Sequence, residues 1–293
     1  MAPTTERIAR REPIDATAPP QKPRKRRKEW LLPAYTGLVI AYLFVPIAIM
    51  ILFGFNNPAG RYNFQWEGFT LKWYNPTTLL EYEDLNDALI NSLTVAIVST
   101  LIATALGTLI ALALTRHRFR GRSSLNLGLF LPMASPEVVL GVSLLALFVS
   151  INVPLGLVTI IIAHIMFSIS FVVVTVKART SGFDHNLEDA AGDLGADPWT
   201  AFWTVTFPLI FPGILAAGLL VFALSIDDYV ITSFNAGGAT TIPLWVYGAS
   251  RIGVPPQVNV MGTLLFSLGL LYVIVSLWRG RKAEAPPPPV GKG

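Results

Sequence analysis

The chain has 293 residues, 53% of them hydrophobic and only 14% charged, against about a quarter charged in ordinary soluble domains. Mean hydropathy is +0.55, and so little charge is too sparse to cover a soluble domain of this size. The formal net charge is +4, and the absence of cysteine excludes disulfides, thiolate metal sites and thiol nucleophiles.

In chain order, residues 1–29 come first and hold the basic run Lys22-Pro23-Arg24-Lys25-Arg26-Arg27-Lys28. Such a run can serve nucleic acid or head a signal peptide. Here it directly precedes a long apolar span with no small-residue cleavage site after it. It reads as a topology anchor near anionic lipid, and no nucleic-acid partner is expected. The proline-rich ends mark 1–29 and 280–293 as disordered tails.

Between the tails, 30–279 reads as a transmembrane domain. The runs 31–57, 88–115, 198–226 and 252–278 carry no charge, and in 123–176 the only titratable side chains are Glu137 and His164. A helix needs about 20 apolar residues to cross the hydrocarbon core. Asn152-Val153-Pro154-Leu155-Gly156 divides the longest run with a turn. Six spans are predicted, near 31–55, 89–114, 126–150, 155–176, 205–226 and 258–278. Alternate segments between them hold nine, four, two and four lysines and arginines, nineteen in all, against only Arg61, Lys72 and Arg251 in the others. The positive-inside bias predicts both termini in the cytoplasm.

The outer loop 56–88 contains Trp66, Phe69, Trp73 and Tyr74, which read as an interfacial aromatic belt. Its acids outnumber its two basic residues, so attraction of a cation or docking of a binding protein is a second reading. Glu137 falls inside the third span. An acid there costs roughly 2.5–3.5 kcal/mol on insertion scales and usually faces a cavity or a partner; it reads as part of a transport path or as a structural acid bonded to a neighbouring helix. His164, with no carboxylate in its own span, reads as an interhelical hydrogen-bonding group before a proton relay.

The segment 182–199 lies on the predicted cytoplasmic side. Asp184 is a candidate N-cap, and Leu187, Ala190, Ala191 and Leu194 recur at helical spacing, with Glu188, Asp189 and Asp193 off that face. Gly195 ends the helix in a conformation that favours positive φ, followed by Ala196. Asp197-Pro198 restarts a helix as N-cap and first helical residue. Periodicity alone leaves two readings, a solvated helix on the headgroups or a docking helix for another protein. Near the outer end of the fifth span stand Asp227, Asp228 and Tyr229. Adjacent residues on a helix point about 100° apart, so one aspartate faces a path and the other caps or hydrogen-bonds.

Asp189, Ala190-Ala191, Gly195 and Pro208-Leu209 resemble the "EAA" loop of ABC importer permeases: an acid, two alanines, a glycine six residues after the acid, then a hydrophobic stretch ending in Pro-Leu. The family's glutamate falls on Asp189, with Glu188 just before it. Further stretches resemble the spermidine/putrescine branch: 66–74 (WEGFTLKWY), 116–122 (RHRFRGR), 135–137 (SPE), 224–234 (LSIDDYVITSF) and 238–243 (GATTIP).

The resemblance implies an all-α, six-helix type I ABC importer permease fold in the cell inner membrane. It further implies a coupling helix comprising Glu188, Asp189, Ala190, Ala191, Gly195 and Ala196, which docks on an ATPase dimer. A second homologous permease and an extracytoplasmic polyamine-binding protein complete the assembly, and no cofactor is implied. Spaced carboxylates with aromatic faces suit a polyamine's ammonium groups, so Asp227, Asp228, Glu137 and Tyr229 are the candidate substrate path.

The chain has no G-x-x-x-x-G-K-[ST] phosphate loop, so ATP hydrolysis must be supplied by another polypeptide. It also lacks a G-x-S-x-G elbow and an H-E-x-x-H site. An intramembrane hydrolase built on Glu137 and Asp227, a secondary transporter, and a permease for another small organic molecule are the competing readings.

Overall fold

A computed structural model describes residues 30–79, 81–180, 182 and 186–283. The basic run and Asp184 lie outside the described residues. The chain divides into two units, 1–49 and 50–293, and each is described by itself. The first carries most of α1 (Leu31–Phe53), which has no charge and no buried residue, the pattern of a helix apolar on every side.

The second unit opens with a loop organised around Asn56. Its side-chain amide donates to Asn63 Oδ1 and to the Gln65 carbonyl, both at 2.7 Å, while its Oδ1 accepts from the Glu67 amide at 2.8 Å. Trp73 Nε1 donates to the Asn56 carbonyl at 2.8 Å, and Tyr74 stacks on Phe55 with ring centroids 4.9 Å apart. These aromatics therefore pack the loop onto itself. A short turn at Lys72–Tyr74 and α2 (Pro76–Leu79) lead into α3 (Glu83–Arg116).

The 34 residues of α3 make a rod about 51 Å long at 1.5 Å per residue, longer than the hydrocarbon core. Glu83 and Asp84 lie in its first turn and Arg116 in its last, each sign matched to the helix dipole. Its buried face is a stripe of small residues: Ala88, Ser92, Ala96, Ser99, Ala103, Gly107 and Ala111. Small side chains let membrane helices approach closely where no hydrophobic effect drives them together. At Gly107 the approach is so close that a Cβ would sit 2.6 Å from Val172 Cβ.

After α3 come α4 (Arg122–Ala134) and α5 (Glu137–Ser150), bent by 107° to one another. Where one span over 126–150 was expected, the chain forms two helices with a break at Ser135-Pro136. Pro136 has no amide to continue the helix and holds Ser135 in extended backbone, φ −80° and ψ 140°, as the residue before a proline must be. Glu137 therefore opens α5, at the break. A turn with Asn152 at φ 56° then leads to α6 (Leu157–Thr180).

The loop helix α7 (Asn186–Asp193) and α8 (Pro198–Ala201) precede one wide turn, Phe202–Thr206, and α9 (Phe207–Ile226). In the wide turn the Phe207 amide bonds the Phe202 carbonyl, five residues back, just before Pro208, which brings no amide. Helices α10 (Val230–Asn235), α11 (Ile242–Ser250) and α12 (Pro256–Ala283) complete the described residues, so helix extends four residues into the stretch expected as a tail. The core is the mutual packing of α3, α6 and α9, with Ala103, Leu114, Val172, Val176, Ala217 and Val221 at its centre. Against this, α10 packs on both α5 and α6.

Candidate functional sites at the two ends of one helical segment

One site gathers where α3 ends and α9 begins. At the end of α7 the Gly195 amide bonds the Gly192 carbonyl at 2.9 Å and the Ala196 amide bonds the Ala191 carbonyl at 3.0 Å. This paired closure requires a left-handed residue, and Gly195 supplies it with φ 90°. Asp197 then caps α8, accepting from the Trp199 and Thr200 amides at 2.8 and 2.9 Å and from the Thr200 hydroxyl at 2.9 Å. The amide and hydroxyl of Thr200, then the amide of Trp199, hold the Asp197 carboxyl below the usual carboxylate range.

The two neighbouring acids of α7 part company. Glu188 turns inward, joined to the Arg116 guanidinium and to the Thr206 hydroxyl. Arg116 Nη2 also donates to Thr206 Oγ1 at 3.1 Å and its guanidinium lies 5.8 Å from the Phe202 ring centre. Asp189 is exposed, as are Leu187 and Ala190, and Leu194 is 90% exposed. Ala191 and Ala196 are half-buried. A cleft of about 500 Å³, lined by Arg116, Asp189, Asp193, Ala196 and Phe202 among others, opens beside the helix. The apolar residues Leu187, Ala190 and Leu194 of this segment are thus outward and uncovered, and Glu188 fastens α7 to the bundle. The role of Arg116 was not visible in sequence, since it lies far from the loop.

The second site lies at the other end of α9. Asp227 and Asp228 do not share a helix, because the chain breaks between Ile226 and Val230. Asp227, the last cap of α9, is exposed. Asp228 has a side chain only 9% exposed and turns back over the start of α10. Its Oδ2 accepts from the Thr232 amide and hydroxyl, both at 2.8 Å, and lies 3.3 Å from His164 Nε2. The His164 ring is 3% exposed. Its Nδ1 is 2.6 Å from Ser225 Oγ and its Nε2 2.9 Å from Thr232 Oγ1, and Ser225 Oγ is 3.2 Å from Ser99 Oγ.

His164 therefore has the carboxylate partner that its own span lacks. The Tyr229 and Tyr247 rings meet with centroids 4.6 Å apart, tilted by 42°, and Arg251 donates to the Tyr247 hydroxyl at 2.6 Å. Glu137 is exposed at the start of α5, with no side-chain partner among the described residues.

Residues 103–279 match the family described as binding-protein-dependent transport system inner membrane component. The chain is 42% identical over 239 residues to the spermidine/putrescine transport system permease protein PotC of Escherichia coli, covering 81% of this chain and 89% of that one. It is 38% identical to the protein of the same name from Haemophilus influenzae, covering 85% and 96%. The putrescine transport system permease protein PotI of Escherichia coli is 36% identical, with 78% and 83% covered. Among solved structures, a bacterial ABC transporter that imports the acidic polysaccharide alginate superposes with a TM-score of 0.61 at 17% identity, covering 91% of this chain and all of that one. The bacterial alginate transporter in complex with an alginate-pentasaccharide-bound periplasmic protein gives 0.62 at 18% identity, with 85% and 92% covered. Those two likenesses establish the fold, and the sequence matches establish the kinship: the chain belongs to the inner membrane components of binding-protein-dependent transport systems.

Proposed function

We propose that this chain is the permease subunit of an ATP-driven importer that carries polyamines, putrescine or spermidine, into the cytoplasm. The observation that carries the cargo is the likeness, at 36% to 42% identity over most of both chains, to permeases named for spermidine/putrescine and putrescine transport. The chemistry agrees in kind. An ammonium group leaving water needs anionic or π partners to offset its lost hydration, and Asp227 is an exposed carboxylate two residues before Tyr229, whose ring meets that of Tyr247. Glu137 supplies a second acid further along the path, and Asp228 serves the path only by shaping the break.

Nineteen basic residues against three support cytoplasmic termini, which puts α7 on the cytoplasmic side. There Asp189, Ala190, Ala191, Gly195 and Ala196 meet an ATPase dimer, while Glu188 holds the helix from behind. A second permease completes the channel, and a soluble polyamine-binding protein delivers cargo from outside. The test is uptake of labelled putrescine and spermidine by proteoliposomes holding both permeases and the ATPase, with binding protein present. Uptake should require ATP hydrolysis, and an excess of amino acids should not compete. Uptake driven by an ion gradient without ATP, or no polyamine uptake at all, overturns the proposal.

A further inference from the structure

The buried imidazole of His164 has no place in the path described above, yet every polar atom of its ring is engaged. We infer that His164 is a positioning residue that staples the break between α9 and α10, and thereby holds Asp227 in place at the mouth of the path.

The geometry of the break carries this. Ser225 is the penultimate residue of α9 and Thr232 lies in the first turn of α10. The two stand on opposite sides of the non-helical Asp227-Asp228-Tyr229 stretch, and both bond the same ring, Ser225 at Nδ1 and Thr232 at Nε2. A five-membered ring with nitrogens on two sides fixes the separation and relative direction of its partners. No flexible side chain of similar size would do so. Asp228 closes the arrangement from below, over the amide and hydroxyl of Thr232. Ser99 extends it to α3, so four helices meet at one ring.

A chain break inside an apolar bundle leaves backbone and side-chain polar groups that water cannot satisfy, and such groups are kept only where the protein satisfies them itself. Here the side chains of Ser225, Asp228 and Thr232 are satisfied by the His164 ring and by one another, whereas the Asp227 carboxylate beside them is exposed. With His164 in place Asp227 has a fixed direction. Without it Ser225 and Thr232 lose their common partner, Asp228 loses the ring 3.3 Å from its Oδ2, and the break is free to move.

The role assigned to Asp227 rests on the polyamine reading, so the test has one arm that involves no cargo. The chain has no cysteine, which permits a single spin label at Asp227→Cys or, as a remote reference, at the exposed Leu127→Cys on α4. In the reconstituted full transporter the label at 227 should give an immobilised spectrum. His164→Ala should make it mobile while the spectrum at 127 stays as it was. His164→Gln, whose amide supplies one donor and one acceptor, should restore part of the immobilisation. Where His164→Ala does not insert, Ser225→Ala and Thr232→Val each remove one partner of the ring and should loosen 227 alone. An unchanged spectrum at 227, or loosening of 227 and 127 together, overturns the inference.

In the cargo arm, with Asp227 intact, His164→Ala should lower polyamine uptake per ATP hydrolysed roughly tenfold, the factor corresponding to one lost charge-assisted hydrogen bond. If wild-type transporter takes up no polyamine, the cargo reading fails while the spin-label arm still decides the role of His164. If Asp227→Asn abolishes uptake but His164→Ala does not reduce it, positioning fails while the cargo reading stands.

Discussion

Arg116 and Glu188, 72 residues apart in the chain, form an ion pair that takes in Thr206 as a third member. Because these residues belong to α3, α7 and the wide turn before α9, the pair joins the loop helix to two helices of the core. Both side chains are about three-quarters buried, 28% and 24% exposed, so water screens the pair only in part. Breaking it should weaken the attachment of α7 by about 1 kcal/mol, a factor of about five. Arg116→Glu should thus lower uptake per ATP several-fold, and the exchange Arg116→Glu/Glu188→Arg should recover much of it. A double exchange no better than the single variant would show that the pair does not transmit.

Gly195 is held at φ 90° with nothing within 4 Å of where a Cβ would stand. The cost of substitution is therefore conformational, about 1–2 kcal/mol for a bulky residue in the left-handed region. Gly195→Val should insert normally and transport poorly, whereas Gly195→Asn, which tolerates that region, should transport nearly as wild type. Equal uptake by the valine and asparagine variants would contradict the assignment of this turn to coupling.

Asp197 tests the other half of the bend. Its carboxyl is held below its ordinary value by Thr200, and a lowered folded-state pKa means that the cap stabilises α8 above the unfolded value of about 3.9. That contribution disappears only as the pH falls through the lower, folded value. From pH 8 to pH 5 the cap should be constant. Asp197→Asn, which keeps an acceptor oxygen, should protect the 195–200 segment from protease, and Asp197→Ala should not. Limited proteolysis across this pH range is the measurement.

The two aspartates at the break should give different failures. Asp227→Asn removes an exposed charge and should leave the amount of membrane-inserted protein unchanged, while polyamine uptake falls tenfold or more. Asp228→Asn acts on a buried carboxylate that accepts from the Ile231 amide and from the amide and hydroxyl of Thr232 and lies 3.3 Å from His164, and should lower thermal stability by about 1–3 kcal/mol. If the two variants have the same melting temperature, the burial argument is wrong.

Gly107 offers a test of the core alone. A side chain there meets Val172 at 2.6 Å, and overpacking of this kind costs about 1–3 kcal/mol. Gly107→Val should reduce thermal stability in detergent, and Val172→Gly, which removes both the Cβ and the Cγ1 that a side chain at 107 would meet, should restore part of the loss.

What the sequence disclosed divides by range. Asp197-Pro198 and Gly195 were legible because a cap and a left-handed turn are local chemistry, complete within four or five residues. The long apolar runs disclosed most of the spanning helices for the same reason, as no partner is needed to make a run apolar. The bend at Pro136 was half legible: proline followed by an acid is a helix-start signal, but the 107° angle is set by packing. The division between Glu188 and Asp189 depended on Arg116, and that between Asp227 and Asp228 on His164. Neither partner lies within helical reach of its acid. The small residues of α3 recur at steps of three and four from Ala88 to Ala111, but that this stripe is the face buried against α6 and α9 shows only in the structure.

The segment Pro198–Ile226 is one helical run of 29 residues, wide turn included, flanked by Asp197 and Asp227. At 1.5 Å per residue it measures about 44 Å. The cap beside the loop helix and the acid at the break are therefore the two tips of a single lever. If that lever turns about its middle, each tip moves opposite to the other. A tilt of 10° would carry each tip roughly 4 Å on that length, more than the span of a hydrogen bond. Mechanical continuity along the backbone would then suffice to link an event at one face of the membrane with one at the other, without a chain of side-chain contacts between them.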